Sequence, residues 1–305
     1  MQKRFLSVTL LFSVLIGLVA LAGCGLGDGD SVATILLPDR DAQTVTIQGV
    51  ELQRVTELPH VWDVSPRPEP PTQAEEFITT ELLQLAPLYL GELIAIMHTS
   101  EGDVAIRFFP TEAPIAVENF LRLAWSGYYD GIIFHRVIPE FMIQTGCPLG
   151  TGTGGESYWG SRFGQEPSPL LRHFRGALAM AQTAAPMSIG SQFYVVQNSS
   201  LDANTRAHYL NLLERQDEVQ WAFEDGSEAL VGDVFTPESL NHFLEYGGTP
   251  HLDWHVNNNP HTVFGHVVWG LDVVDAIAST NTSNDRPIEN ITMDGFSFFT
   301  VMGGV

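Results

Sequence analysis

From Glu92 onward the chain is a series of short, β-rich apolar runs set between turn-forming residues, and this dense texture continues to the end. The stretch "ELIAIMHTSEGDVAIRFFP" holds two such runs joined by Ser-Glu-Gly-Asp and predicts a hairpin with a short turn. "TEAPIAVENFLRLAWSG" switches to helical spacing, with Pro114 near the start and Gly127 at the end, where those residues favour helix initiation and termination. "GALAMAQT", "SQFYVVQ" and "HTVFGHVVWG" return to strand texture, "LDVVDAIAST" predicts a second helix, and "IENITMDGFSFF" supplies the last strand. Many short strands with one early and one late helix predict a mainly β fold, a closed antiparallel β-barrel capped by two helices.

Two regions break this pattern. Residues 201–245 form a predicted insertion, with "DANTRAHYLNLLERQDEVQWAF" reading as helix and "TPESLNHFLEYG" as a shorter helix with a Thr/Pro start. Ahead of Glu92 the texture is loose. "GLGDGDS" is a flexible spacer, "ATILLPDRDAQTVTIQGVELQRVTEL" alternates weakly as a hairpin would, and "SPRPEPPTQ" is a stiff extended connector. "AEEFITTELLQLAPLYL" carries helical spacing with acidic residues early, where the helix dipole favours them. Residues 24–91 therefore read as a stalk with a hairpin and a helix, and 92–305 as the main domain.

The chain begins "MQKRFLSVTLLFSVLIGLVALAGC", with Lys3 and Arg4 ahead of an apolar run too short for a comfortable membrane span. This is the layout of a secretory signal peptide over 1–23. Its ending "LAGC" resembles the bacterial lipobox, which implies that Cys24 becomes the lipid-bearing first residue of an extracytoplasmic protein anchored to a bacterial membrane. An ordinary signal peptide or a short membrane anchor is the alternative. If Cys24 is acylated, Cys147 has no intrachain disulfide partner. Cys147 then reads as an inert small residue or a free thiol.

Charge removes one class of function. With 36 acidic and 14 basic residues the formal net charge is −22, which repels phosphate backbones and argues against nucleic-acid binding. Loss of Lys3 and Arg4 with a leader deepens it by two. Lipid, rather than surface charge, would have to hold such a chain near an anionic membrane.

The unusual segment is "IIFHRVIPEFMIQTG", where Arg136, Pro139 and Gln144 interrupt an apolar run. In a strand Arg136 points away from His135 and Val137, so one face carries the cation while the other packs inward. Pro139 interrupts the ladder. Beyond it Phe141 and Met142 would line an apolar wall and Gln144 would offer an amide. Taken alone, the segment fits a core strand with a snorkelling arginine as well as it fits a chemical surface.

Together, "FHRVIPEFMIQTG", "GTGGES", "GALAMAQTAAPMSIGSQFYVV" and "HTVFGHV" resemble the cyclophilins, the peptidyl-prolyl cis-trans isomerases, in order and spacing between Glu92 and Phe299. The resemblance implies catalysis without metal or cofactor, on Xaa–Pro bonds of unfolded or newly secreted chains. It makes Arg136 the catalytic cation and gives Phe141, Gln144 and His261 catalytic positions. Met142, Gly152, Ala181, Gln182, Thr183, Gln192, Tyr194 and Leu252 become substrate-binding positions.

The chain also departs from the family pattern. Gln182 and Thr183 stand where the family commonly has Asn-Ala, "TAAPMSIG" is one residue longer, and Tyr194 replaces a phenylalanine. His251 occupies the place often held by tryptophan in cyclosporin-sensitive members, which implies weak cyclosporin binding. The loop "WHVNNNP" between Asp253 and His261 is longer than the family norm. These departures leave a second reading open, a proline-peptide-binding chaperone module with weak catalysis. Two other signals are poor. "GTGTGGES" lacks the Lys-Ser/Thr ending of a phosphate loop, and His251, His255, His261 and His266 fit no common zinc spacing.

Overall fold

The computed structural model describes residues 40–58, 82–222, 228–253 and 259–303. The expected leader, Cys24 and most of the stalk lie outside them. No helix among the described residues is long and apolar enough to cross a membrane.

Strands β1 (Thr44–Ile47) and β2 (Val50–Arg54) form an antiparallel hairpin, and β3 (Leu93–Thr99) and β4 (Gly102–Phe108) form another. Helix α1 (Pro114–Trp125) follows. Then come β5 (Ile132–Ile133), β6 (Arg136–Ile138), β7 (Met142–Thr145), β8 (Ala177–Met180) and β9 (Phe193–Val196). The inserted region holds α2 (Ala203–Leu213), β10 (Val219–Ala222), β11 (Glu228–Leu230), α3 (Val231–Val234) and α4 (Pro237–Tyr246). The chain returns through β12 (Val263–Trp269), α5 (Leu271–Ala278), β13 (Thr282–Ser283), β14 (Arg286–Pro287) and the long β15 (Thr292–Gly303).

The main sheet runs β1-β2-β15-β3-β4-β12-β8-β9-β7-β6, with β5 paired to β15. Its path is open: β1 and β6 are its ends, and no ladder joins them among the described residues. The fold is mainly β with few helices. The β1–β2 hairpin is part of this sheet, because β2 pairs with β15 from Phe299↔Arg54 onward.

Helix α1 shows how local chemistry fixes an element. Pro114 opens it with φ already helical, and no side chain at the cap position serves its free N–H groups. The carboxylate of Glu166 does so instead, accepting from Ile115 N at 3.0 Å and Ala116 N at 2.8 Å. At the other helix, Gly270 sits at φ +90° before α5, and a Cβ there would meet Asp103 O at 2.5 Å. Both helices bury their apolar faces in one core with the strand residues Met97, Ile106, Leu178 and Val195. Phe120 of α1 is its centre, with the Phe193, Phe264 and Phe296 rings at 5.1–5.3 Å. Truncating so enclosed an aromatic costs about 3–5 kcal/mol.

The inserted region differs from the sequence expectation in one place. The predicted helix over "DANTRAHYLNLLERQDEVQWAF" stops at Leu213, and Val219–Ala222 is a strand paired with β11. Two successive turns, Arg215 N to Leu212 O and Glu218 N to Arg215 O, unwind the chain between them. Asp202 caps α2 by accepting from Asn204 N and Thr205 N, and Thr236 caps α4 by accepting from Ser239 N. The region has its own small core around Tyr209, Leu212, Leu240 and Phe243, which Phe174 of the main framework joins.

Candidate active site

The site grows from strand register. Arg136 on β6 pairs with Gln144 on β7, Gln144 with Tyr194 on β9, Tyr194 with Ala179 on β8, and Ala179 with Val263 on β12. Registered partners share a face, so these residues form one row across five strands. It grades from an exposed cation at the sheet edge to apolar residues at its centre. Val137, the next residue on β6, is fully buried in the main core.

Pro139 lies in the turn between β6 and β7. Phe141 N donates to Ile138 O at 3.2 Å, and Glu140 takes the left-handed φ of +54°. Gln197 braces this turn: its Oε1 accepts from Glu140 N at 2.8 Å, and its backbone N donates to Phe141 O at 3.0 Å. Phe141 is thereby set beside Arg136, whose guanidinium lies 5.9 Å from the ring centroid. The other contacts of Arg136 are long, 3.5 Å from Nη1 to Gln144 Oε1 and 3.7 Å from Nε to Asp285. Its donors are thus held in direction without being saturated.

A polar rail continues inward. Gln144 Nε2 donates to Gln192 Oε1 at 3.1 Å, and Gln192 Nε2 donates to Gly152 O at 3.0 Å and Gly154 O at 2.9 Å. Gln144, Gly152, Ala181, Gln182, Thr183 and Gln192 border one cleft of about 450 Å³. Beside the rail lies an apolar patch in which Phe141, Met142, Ala181, Tyr194 and Leu252 pack together. His261 faces Tyr194 with ring centroids 5.6 Å apart, and its backbone N donates to Leu252 O at 3.2 Å. Burial, with His173 nearby, pushes the His261 imidazole down to about 4, so it is neutral at pH 7. The candidate residues, scattered over 126 positions from Arg136 to His261, therefore meet around one cleft and one apolar patch. Among the described residues no group of three or more His, Cys, Asp or Glu is placed to hold a metal ion.

The family described as "Cyclophilin type peptidyl-prolyl cis-trans isomerase/CLD" matches residues 94–297. The chain belongs to the cyclophilin-type peptidyl-prolyl cis-trans isomerases. A Staphylococcus saprophyticus protein named for that activity is 38% identical over 206 residues, covering 67% of this chain and 90% of that protein. A Streptococcus pyogenes protein, whose name is that of a bifunctional phosphatase/peptidyl-prolyl cis-trans isomerase, is 43% identical over 206 residues. That match covers 67% of this chain but only 38% of the streptococcal protein. The solved structure of a Cryptosporidium parvum cyclophilin-type isomerase is 26% identical, with a TM-score of 0.48, covering 69% of this chain and 98% of that one.

Against the cyclophilin pattern, the departures acquire physical meaning. The side-chain amide of Gln182 is turned away to the loop, donating to Asn259 O at 3.0 Å and Pro260 O at 3.1 Å. Thr183 O accepts from Asn259 Nδ2 at 3.2 Å, so both unusual residues tether the long loop that precedes His261. Residues 254–258 of that loop, including His255, lie outside the described residues. His251 stacks on Phe141 at 5.7 Å, on the outer side of the apolar patch. His266 is elsewhere on β12, beside Gln84 at 3.2 Å. The glycine-rich segment after Cys147 is a loop that opens no helix, and the Cys147 thiol is buried beside Thr153 O at 3.3 Å.

Two residues of the site were missed from sequence. Asp253 Oδ1 accepts from both His173 N at 2.8 Å and His173 Nδ1 at 2.7 Å, and the His173 ring stacks on Tyr194 at 6.3 Å. Nothing in "LRHF" marks His173. Asp253 carried a faint signal, since it follows Leu252 directly.

Proposed function

We propose that the protein catalyses cis–trans isomerisation of Xaa–Pro bonds in unfolded or newly secreted polypeptides outside the cytoplasm. The observation that carries this reading is the row Arg136–Gln144–Tyr194, which sets a cation and an amide at the edge of an apolar patch. Rotation about the prolyl bond meets a barrier of about 18–20 kcal/mol from amide resonance, and each tenfold acceleration requires about 1.4 kcal/mol of selective transition-state stabilisation. Phe141, Met142, Ala181, Tyr194 and Leu252 would take the proline ring. Arg136 would donate to the prolyl nitrogen, whose lone pair is released only when conjugation is broken at the twisted state. Gln144 and neutral His261 would hold the adjoining backbone, while Gly152, Gln182, Thr183 and Gln192 would line the path of the flanking residues.

The same reading includes a lipid on Cys24, a stalk over 24–91 and an isomerase domain over 92–305 with an insertion near 201–245. It also includes closure of the sheet into a barrel capped by α1 and α5, supported by the single core that both helices share. His251, presenting an imidazole where a larger indole would stand, supports weak cyclosporin binding. One observation favours the second reading, a binding module with weak catalysis: the Gln182 amide is already taken up by loop carbonyls. A protease-coupled or NMR-exchange assay on a proline peptide, with Arg136→Ala as control, tests the proposal. Loss of roughly 100-fold or more in kcat/KM with the fold retained is expected, and an undiminished rate in the variant overturns the mechanism.

A further inference from the structure

A second cleft of about 500 Å³ is lined by none of the isomerase-site residues. Its walls are the turn of the β1–β2 hairpin, residues 84–88, β12 and the inserted helix α4. Its composition runs against that of the whole protein. In a chain with 36 acidic residues, no Asp or Glu is found among its described lining residues, whereas Arg107, Arg175, His242 and His266 are.

The guanidiniums are fixed from behind and keep donors in reserve. Arg107 is buried, with Nε on Glu92 Oε1 at 2.8 Å and Nη1 on Ala86 O at 2.5 Å, which uses only part of its fork. Arg175 uses Nη2 on Asp275, and its Nε is buried with no hydrogen-bond partner. A carboxylate is the acceptor whose geometry matches a guanidinium fork. The two imidazoles add hydrogen-bonding capacity rather than charge, since burial keeps His242 at about 4 and His266 at about 3. Gln84 locks the floor by bonding both backbone groups of Arg172 as well as His266. The rest of the lining is mostly apolar, with Leu85 partly exposed at 41%. The volume suits a small molecule or a short chain end.

We propose that this cleft binds an amphipathic carboxylate, with the carboxylate on Arg175 and Arg107 and an apolar body against the hairpin and β12. A fatty acid and the free C-terminus of an apolar peptide share this chemistry. The test is titration of the full chain, followed by calorimetry or NMR, with two pairs of probes. One pair is decanoate and decanol; the other is N-acetyl-Leu-Leu-Phe as free acid and as C-terminal amide. Saturable binding of at least one acid, tenfold or more tighter than its uncharged analogue, is expected, and which acid binds identifies the source. Arg175→Gln should weaken that binding at least tenfold. Leu85→Trp, which fills the cleft from its exposed wall, should abolish binding while leaving the isomerase rate unchanged. Absence of saturable binding by both acids, equal binding of the uncharged analogues, or full binding by both variants would overturn the proposal.

Discussion

The side chains of Arg136, Gln144 and Gln192 meet in sequence at 3.1–3.5 Å near the open edge of the sheet. Tyr194, His261, His173 and Asp253 lie a few residues further along the same surface, in ring contact or charge-assisted hydrogen bonds under cover. The rim cation is adjustable because the polar contacts of Arg136 are few and long, 3.5 Å to Gln144 and 3.7 Å to Asp285. The floor is fixed because its polar groups are buried, and several of them, His173 Nε2, Tyr194 Oη and His261 Nδ1, have no hydrogen-bond partner. Substitution at the rim should therefore change rate and leave stability alone, whereas substitution at the floor should change stability first.

Acid should separate the two most strongly. Burial holds His261 of the floor at about 4 and His266, enclosed on β12, at about 3, against 6.5 when unfolded. Between those values the unfolded chain binds protons that the folded chain refuses, so this part of the stability is complete above pH 6.5 and is lost as pH falls. Each of the two contributes about 1.4 kcal/mol per pH unit in that window, roughly 5 kcal/mol together between pH 7 and 4.5. Denaturant titrations across this range should show a falling midpoint. A flat midpoint would mean that these buried imidazoles are open to protons in the folded chain.

Asp253→Ala comes next. It removes the acceptor of two buried donors of His173 and should destabilise the fold by about 3 kcal/mol, read as a lower denaturation midpoint. Arg136→Lys should do the reverse, leaving the midpoint unchanged and lowering kcat/KM about tenfold, because a point charge cannot reproduce the planar fork. The smallest effect belongs to Tyr194→Phe. Deleting a buried hydroxyl with no partner should shift stability by less than about 1 kcal/mol, in the stabilising direction, with the rate within about threefold of wild type. A large loss would show that the hydroxyl has an essential role in the floor.

This contrast also separates what could be read in the sequence from what could not. The rim was legible because it is local: alternation in "FHRVIP" puts Arg136 opposite Val137, and the six residues from Arg136 to Phe141 hold the cation, the turn and the aromatic ring. Helix α1 and the β3–β4 hairpin were legible for the same reason, through Pro114 and a short polar turn. The His173–Asp253 pair was not, because its members are 80 residues apart and no periodicity links them. The direction of the Gln182 amide depended on a loop brought in from Asn259 and Pro260. Strand β10 was misread as helix because "EVQWAF" carries no breaker between it and α2, and its pairing with β11 decides the outcome. The union of the β1–β2 hairpin with β15 is likewise a long-range pairing, beyond reach of any local pattern.

The central claim is that Arg136, held at the edge of an apolar patch, lowers the barrier of a bound Xaa–Pro bond. NMR exchange spectroscopy on one peptide, recording binding and cis–trans exchange in the same sample for the wild type and Arg136→Ala, tests it most directly. Uncatalysed exchange takes tens of seconds or longer. The wild type should bring it well below a second, and the variant should bind within about threefold of wild type while losing roughly 100-fold in exchange. An Arg136→Ala protein that exchanges the peptide as fast as wild type, or a wild type that binds it without acceleration, would contradict the account.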